Sequence, residues 1–508
     1  MPLSKFASIA FAAALFCTPA LRAQSPLQPH TLTYAPGKTI TLSLPAPLEI
    51  NVAASGLRRV RFLAQSPDGR IFATGMYNLA DNTRGAVYIL DGWDAKTHSF
   101  TRVTHYLDHL RNPNNLAFWT DPATHQSWLY LPLTERLVRF RYTAGDTHPT
   151  SDPETLIRFP DYGLNYKYGG WHLTRTVAIA TLRGATRLYV AAGSSCNYCK
   201  EREVLRAAVV SMKPDGTDQR IVAQGLRNAV DLRFLPELDK GSLFATNMGD
   251  DHLGDRLPED TVFELDADSR GWGIGSVNTG PDGASPCGAA ANGCVTVLPF
   301  HYGWPTCYFA GGKPIHDTTP LPVMPPPGDL ASESERPAGA GPPSHSRSPE
   351  SDPDSPYGAQ PGMATAGTNL TAGGGQASRS DPNAKLGHAP APLSSCEQVP
   401  AAYTTFSAHS SPLGLSYFGA DNAALRNTFL VALHGASHPR IGTGYRLVRF
   451  TAQDRTPRDF LTGFLTVDSS GRPQVHGRPC GLLRLGPDTF LLTDDFLGLV
   501  YYIHPQGR

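Results

Sequence analysis

The chain has 508 residues, with 44 basic and 44 acidic side chains and a formal charge of zero. Without a basic excess, an extended surface for nucleic acid or anionic membrane is excluded as its main business. Charged residues make up only 17%, hydrophobic residues 40%, and Gly 49 with Pro 45 are abundant, which excludes wholesale disorder and points to a folded, turn-rich protein.

In chain order, residues 1–23 read as a signal peptide: Lys5, an apolar run from Phe6 to Cys17, then small residues at Ala20 and Ala23. That run is too short to cross a bilayer, and no later stretch is apolar for about eighteen residues. A periplasmic or secreted protein without an integral membrane segment is therefore expected. Residues 24–54 form a lead-in.

A repeating unit follows: a short apolar strand, a turn, a second strand, and a small or polar end. Val60 to Gly75, Leu116 to Pro132, Val177 to Gly193, Leu232 to Asn247, Leu413 to His434 and Gly481 to Asp494 are its six copies. Most are followed by a further strand, such as Gly85 to Leu90 or Val500 to Ile503. Repeats of roughly 55–65 residues built from short strands are propeller blades. The predicted fold is all-β, a six-bladed propeller spread over residues 55–319 and 394–508. Between these parts lies a long Pro/Gly/Ser-rich insert, residues 320–393, whose composition predicts disorder.

Beyond Cys17 there are seven cysteines: Cys196, Cys199, Cys287, Cys294, Cys307, Cys396 and Cys480. In an exported protein an odd set predicts disulfides plus one free or intermolecular thiol. Cys196-Asn197-Tyr198-Cys199 could be a redox or zinc motif. With no second CxxC and no nearby His pair, the expectation is a local disulfide pinning a loop. Cys287 with Cys294, and Cys307 with Cys396 at the base of the insert, are further plausible pairs.

Propellers host enzymes and binding modules alike, so function must come from loops. Gly169-Gly-Trp-His-Leu-Thr-Arg175, Gly225-Leu-Arg-Asn228, Thr246-Asn-Met-Gly-Asp-Asp-His-Leu-Gly-Asp255 and Leu433-His434 through Arg440 concentrate polar residues after strands. No GxSxG, HExxH, P-loop or EF-hand pattern is present.

Together with Tyr302-Gly-Trp-Pro305, Phe460-Leu-Thr-Gly-Phe464, Gly477-Arg-Pro479 and Thr493-Asp-Asp495, these loops resemble the soluble glucose/sorbosone dehydrogenases. The resemblance runs from about residue 55 to 503 apart from the insert. It implies a six-bladed propeller that binds pyrroloquinoline quinone and calcium, oxidises a sugar or aldehyde substrate, and passes electrons to an external acceptor. His172 would be the general base, taking the hydroxyl proton as hydride leaves the substrate carbon. Arg227, with catalytic and cofactor-binding roles, and Asn228 would contact the quinone, joined by His434 and Arg440. His434 stands where glucose-specific members carry Lys. Gly249 and Asp250 would offer oxygens to calcium, with Asp251 and Asp255 nearby. A non-catalytic propeller binding module and a calcium-dependent lactonase-type hydrolase are the alternatives.

Overall fold

In the computed structural model, the described residues are 26–160, 172–182, 184–238, 241–265, 272–273, 300–322 and 392–507. The signal-peptide segment, Trp171, Cys287, Cys294 and nearly all of the insert lie outside them.

The apolar runs become strands buried on both faces. Ser242–Asn247, Thr428–Leu433 and Thr489–Asp494 are buried along their whole length. A strand reads this way when its sheet is covered on each side by another sheet, as in stacked blades. Six blade sheets are present among the described residues, each built on four antiparallel strands, and one of them has six strands in all. Blade one runs Val60–Gln65, Ile71–Gly75, Gly85–Asp94, Ser99–Leu110. Blade two runs Ala117–Thr120, Ser127–Pro132, Arg136–Tyr142, Glu154–Arg158. Blade three runs Arg175–Leu182, Ala185–Ala192, Ala208–Met212, Arg220–Gln224, with two short strands added outside. Blade four runs Ala229–Leu235, Ser242–Asn247, Asp260–Leu265 and then, beyond the insert, Thr404–Phe406. Blade five runs Pro412–Phe418, Thr428–Leu433, Arg446–Thr451, Arg458–Leu461.

Blade six closes the ring. Pro479–Gly486, Thr489–Asp494 and Leu499–Pro505 supply its inner three strands, and Leu48–Ala54 from the opposite end of the chain supplies the outermost. Each inner strand lies against the next, from blade one round to blade six and back. The fold is the expected six-bladed β-propeller.

Its core is divided among the blade interfaces. Six large clusters of buried side chains fill one interface each, for example Phe72 and Val87 against Leu129 and Phe140 between blades one and two. Burying one such side chain contributes roughly 1.5–3 kcal/mol, so stability is shared around the ring.

Inner strands bulge where they face the channel, and the freed amides find hydroxyls. The Phe62, Asp231 and Gly481 amides donate to Thr74, Thr246 and Thr493 Oγ1 at 3.1, 3.1 and 2.7 Å. Register shifts at Val60/Leu63, Ala229/Leu232 and Pro479/Leu482 mark the bulges.

Two expected disulfides are present. Cys196–Cys199 closes a tight loop, and Cys307–Cys396 joins the chain on either side of the insert. A cross-link around 89 residues contributes about 4–5 kcal/mol in the chain-entropy model. Cys480 is free and buried. No helix among the described residues is long and apolar enough to cross a membrane.

Candidate functional site

Antiparallel strands put the start of each inner strand beside the end of the second strand. All seven residues expected at the site therefore sit at one end of the propeller. His172 lies just before the inner strand of blade three, and Arg227 with Asn228 just before that of blade four. Gly249 and Asp250 follow the second strand of blade four, and His434 follows that of blade five.

His172 is buried. Its Nδ1 lies 3.0 Å from the Ser194 carbonyl and 2.9 Å from Ser194 Oγ. Ser194 Oγ donates to the Cys196 carbonyl at 2.5 Å, so toward the imidazole both Ser194 oxygens act as acceptors. The network therefore assigns the proton to Nδ1 and leaves Nε2 as the basic nitrogen. Burial, then the Arg227 guanidinium, hold His172 well below the usual histidine range. It is neutral at neutral pH.

Gly193 lets His172 and Asn228 approach each other. A Cβ there would meet His172 Cβ at 2.6 Å and Asn228 Oδ1 at 2.7 Å. Asn228 donates through Nδ2 to Met248 Sδ at 3.4 Å, while its buried Oδ1 has no partner among the described residues. An unmatched acceptor beside a neutral imidazole is a place where a further donor can bind.

Arg227, also buried, is held by a dense set of contacts. Nε donates to the Asn197 carbonyl at 2.9 Å and Nη2 to Asn197 Oδ1 at 2.5 Å. Nη1 donates to the Gly249 carbonyl at 2.6 Å, and Asp251 Oδ2 lies 3.4 Å from Nη2.

The acidic loop after Asn247 is threaded by two histidines. His252 places Nδ1 2.6 Å from Asp250 Oδ1 and Nε2 2.7 Å from Asp317 Oδ2. Tyr198 stacks on its ring at 3.8 Å. Burial opposes the charge on His252, but the two carboxylates outweigh it and raise its pKa. His409 donates to Asp251 Oδ1 at 3.1 Å and to the Gly254 carbonyl at 2.9 Å. The bond to Asp251 leads in raising it to about 9, so it is protonated at neutral pH. Asp260, buried beneath, accepts the Gly249 and Ser411 amides at 2.7 and 2.8 Å, and burial pushes it up to about 7.

His434 is turned toward blade six, with Nε2 2.8 Å from Asp495 Oδ1. Asp495 also pairs with Arg61 at 2.8 Å and Arg59 at 3.7 Å. Burial lowers His434 to about 4. Arg61 continues inward to Asn114 Oδ1 at 3.2 Å, and Asn114 donates to Thr176 Oγ1 at 2.7 Å, stitching blades six, one, two and three across the channel. Arg440 occupies a 3-10 turn, Pro439–Ile441, and is exposed. Arg478 is the arginine that grips this loop, through the Gly435 and Ala436 carbonyls at 3.1 Å.

The structure thus gathers His172, Arg227, Asn228, Gly249 and Asp250 into one network and leaves His434 in a second, with Arg440 in neither. Sequence reasoning missed Ser194, Asn197, His252, Asp317, His409 and Arg61. Asn197 and His252 stood inside quoted motifs without a role of their own, and Arg61 carried the signal of a charge inside the apolar run of an inner strand.

A carboxylate-bearing quinone fits these residues. The Arg227 Nη1 group keeps one N–H beyond its bond to Gly249 and can give it to a carboxylate or carbonyl oxygen, and Asn228 Oδ1 can accept the ring N–H. The oxygens expected to hold calcium, at Gly249 and Asp250, already carry other contacts. The Gly249 carbonyl accepts from Arg227 Nη1 and keeps a second lone pair, while buried Asp250 Oδ1 lies 2.6 Å from His252 Nδ1 without a hydrogen bond to any described residue. Among the described residues no group of three or more His, Cys, Asp or Glu side chains could hold a metal ion.

No protein-family model matches the chain, and no curated protein sequence matches it. Among solved structures, it is similar to the holo form of the pyranose dehydrogenase PQQ domain from Coprinopsis cinerea, at 16% identity and TM-score 0.53, covering 91% of this chain and 97% of that one. It is also similar to the iodide structure of a Trichoderma reesei protein of carbohydrate-active enzyme family AA12, at 15% identity and TM-score 0.54, again covering 91% and 97%. The calcium structure of Trichoderma reesei family AA12 matches at 15% identity and TM-score 0.53, covering 91% and 96%. At these identities the likeness is one of fold.

Proposed function

We propose that this chain is an exported quinoprotein dehydrogenase that oxidises a sugar or related aldehyde, with pyrroloquinoline quinone as cofactor and an external electron acceptor. One observation carries the reading: a buried, neutral His172 with its basic nitrogen defined, beside buried Arg227 and the unmatched Asn228 Oδ1. Export is supported by the N-terminal segment and by two disulfides in the described chain. The sugar-oxidising reading is supported by the structures of similar fold, which include a pyranose dehydrogenase domain, and by the loop motifs.

When bound, the quinone supplies the two-electron acceptor for the substrate hydride. His172 Nε2 takes the proton of the substrate hydroxyl as the C–H hydride departs and the C=O forms, a task suited to an imidazole kept neutral by burial. Arg227 would stabilise negative charge on the carbonyl oxygens of the bound quinone. Asn228 orients the ligand through its free oxygen. Ser194 holds the imidazole in the required tautomer.

The experiment is a titration of the protein with pyrroloquinoline quinone, followed by aldoses and an electron-accepting dye. Binding followed by aldose-dependent reduction is expected. Binding without reduction by any aldose or aldehyde would leave a non-catalytic binding propeller, and no binding would remove the quinone from the account.

A further inference from the structure

The loop between Ala185–Ala192 and Ala208–Met212 touches every part of the site's inner network. Cys196 offers its carbonyl to Ser194 Oγ at 2.5 Å, and Ser194 in turn holds His172. Asn197 presents its carbonyl and its side-chain oxygen to the Nε and Nη2 edge of Arg227, the paired geometry a planar guanidinium matches best. The same Asn197 oxygens take the Asp251 amide at 3.0 Å and the Trp304 indole N–H at 3.2 Å. Tyr198 stacks on His252 and donates to the Thr319 carbonyl at 2.7 Å. Cys199 closes the loop back onto Cys196, and both sulfurs are buried against Ala207 and Trp304.

We propose that the Cys196–Cys199 loop is the positioning device of the site, with Asn197 the residue that orients the Arg227 guanidinium. The proposal rests on the dehydrogenase reading only for the use made of Arg227, not for the contact itself. A four-residue bridge removes freedom where two acceptors of one residue must face a single guanidinium edge. Arg227 has other acceptors in Gly249 and Asp251, so a released guanidinium would find a different resting place rather than none. The bridge selects one orientation among several that the acidic loop could support. Misplacing a reacting group by about 1 Å can cost on the order of a hundredfold in rate, which makes such a selection matter.

Two variants test it. Asn197→Ala keeps the bridge and removes the side-chain acceptor, and the double variant Cys196→Ser with Cys199→Ser keeps Asn197 and removes the bridge. Melting temperature is measured beside turnover and beside the His172 imidazole titration, followed by NMR in quinone-free protein. Asn197→Ala should melt within a few degrees of the parent, turn over at least about tenfold more slowly at saturating quinone, and show the His172 ionisation moved upward as Arg227 withdraws. The double variant should do the same; if it fails to fold, Asn197→Ala decides alone. Unchanged turnover and an unchanged His172 titration in Asn197→Ala overturn the proposal. Should the parent prove unable to oxidise any sugar, the dehydrogenase reading falls, and the His172 titration still judges whether Asn197 orients Arg227.

Discussion

The Arg227 guanidinium donates to the Gly249 carbonyl at 2.6 Å, so a residue expected to hold the quinone shares an oxygen expected to hold calcium. With Asp250 turned to His252 at 2.6 Å, both proposed metal donors already face nitrogen groups. Millimolar calcium should therefore leave the melting temperature of the quinone-free protein unchanged, and a chelator should not lower it. A ligand that binds only the folded state raises stability with the logarithm of its concentration. A melting temperature that climbs steadily with calcium would show that the loop rearranges to take the ion.

His172→Ala should lower turnover by about 10²–10⁴-fold, the usual cost of removing a general base. Quinone affinity should stay within about tenfold, because other groups would hold the cofactor. Steady-state rates and a quinone titration on the same preparation decide it, and parent-like turnover would remove His172 from the mechanism.

Arg227→Ala should weaken quinone binding and turnover together, by about thirty- to a thousandfold, as loss of a charge-assisted contact in a desolvated site does. Arg227→Lys should restore little, since an ammonium cannot span the two Asn197 acceptors. The His172 ionisation should also move upward when the neighbouring charge is removed. A variant that melts lower yet binds quinone normally would make Arg227 structural.

His409 gives a pH signature with a definite sign. Its folded pKa of about 9 stands above the ordinary histidine value of 6.5, so the folded state holds the proton more tightly. Its contribution is complete below about pH 6.5 and is lost as pH rises through about 9. The stability difference between the parent and His409→Gln should therefore be larger at pH 6 than at pH 9.5 by chemical denaturation. A difference that is constant or grows with pH would contradict the Asp251 pairing.

Replacing residues 323–391 by a short Gly/Ser linker should leave the propeller folded, because closure entropy changes slowly with loop length. Cys307–Cys396 and the outer strand Thr404–Phe406 must be retained, since they complete blade four. Near-parent melting and resistance to protease are expected. Unfolding of the shortened chain would show that the insert packs.

Local pattern was enough for the blades. Each copy from Val60 to Asp494 carries its own apolar runs and turns, and the physics of a strand acts on neighbouring residues. The pairing of Leu48–Ala54 with Leu499–Pro505 was invisible in the lead-in, because it spans nearly the whole chain and is chosen only when the ring closes. The site divides in the same way. His172, Arg227 and Asn228 stand out by residue type and flanking motif, whereas their partners are chosen by three-dimensional proximity. Asp250 and Asp251 look alike in sequence, yet one pairs with His252 and the other with Arg227 and His409. An Asp-rich turn fixes charge but not its direction. Direction came from basic side chains delivered by blades three, four and five, and that delivery exists only once six sheets have packed around one axis.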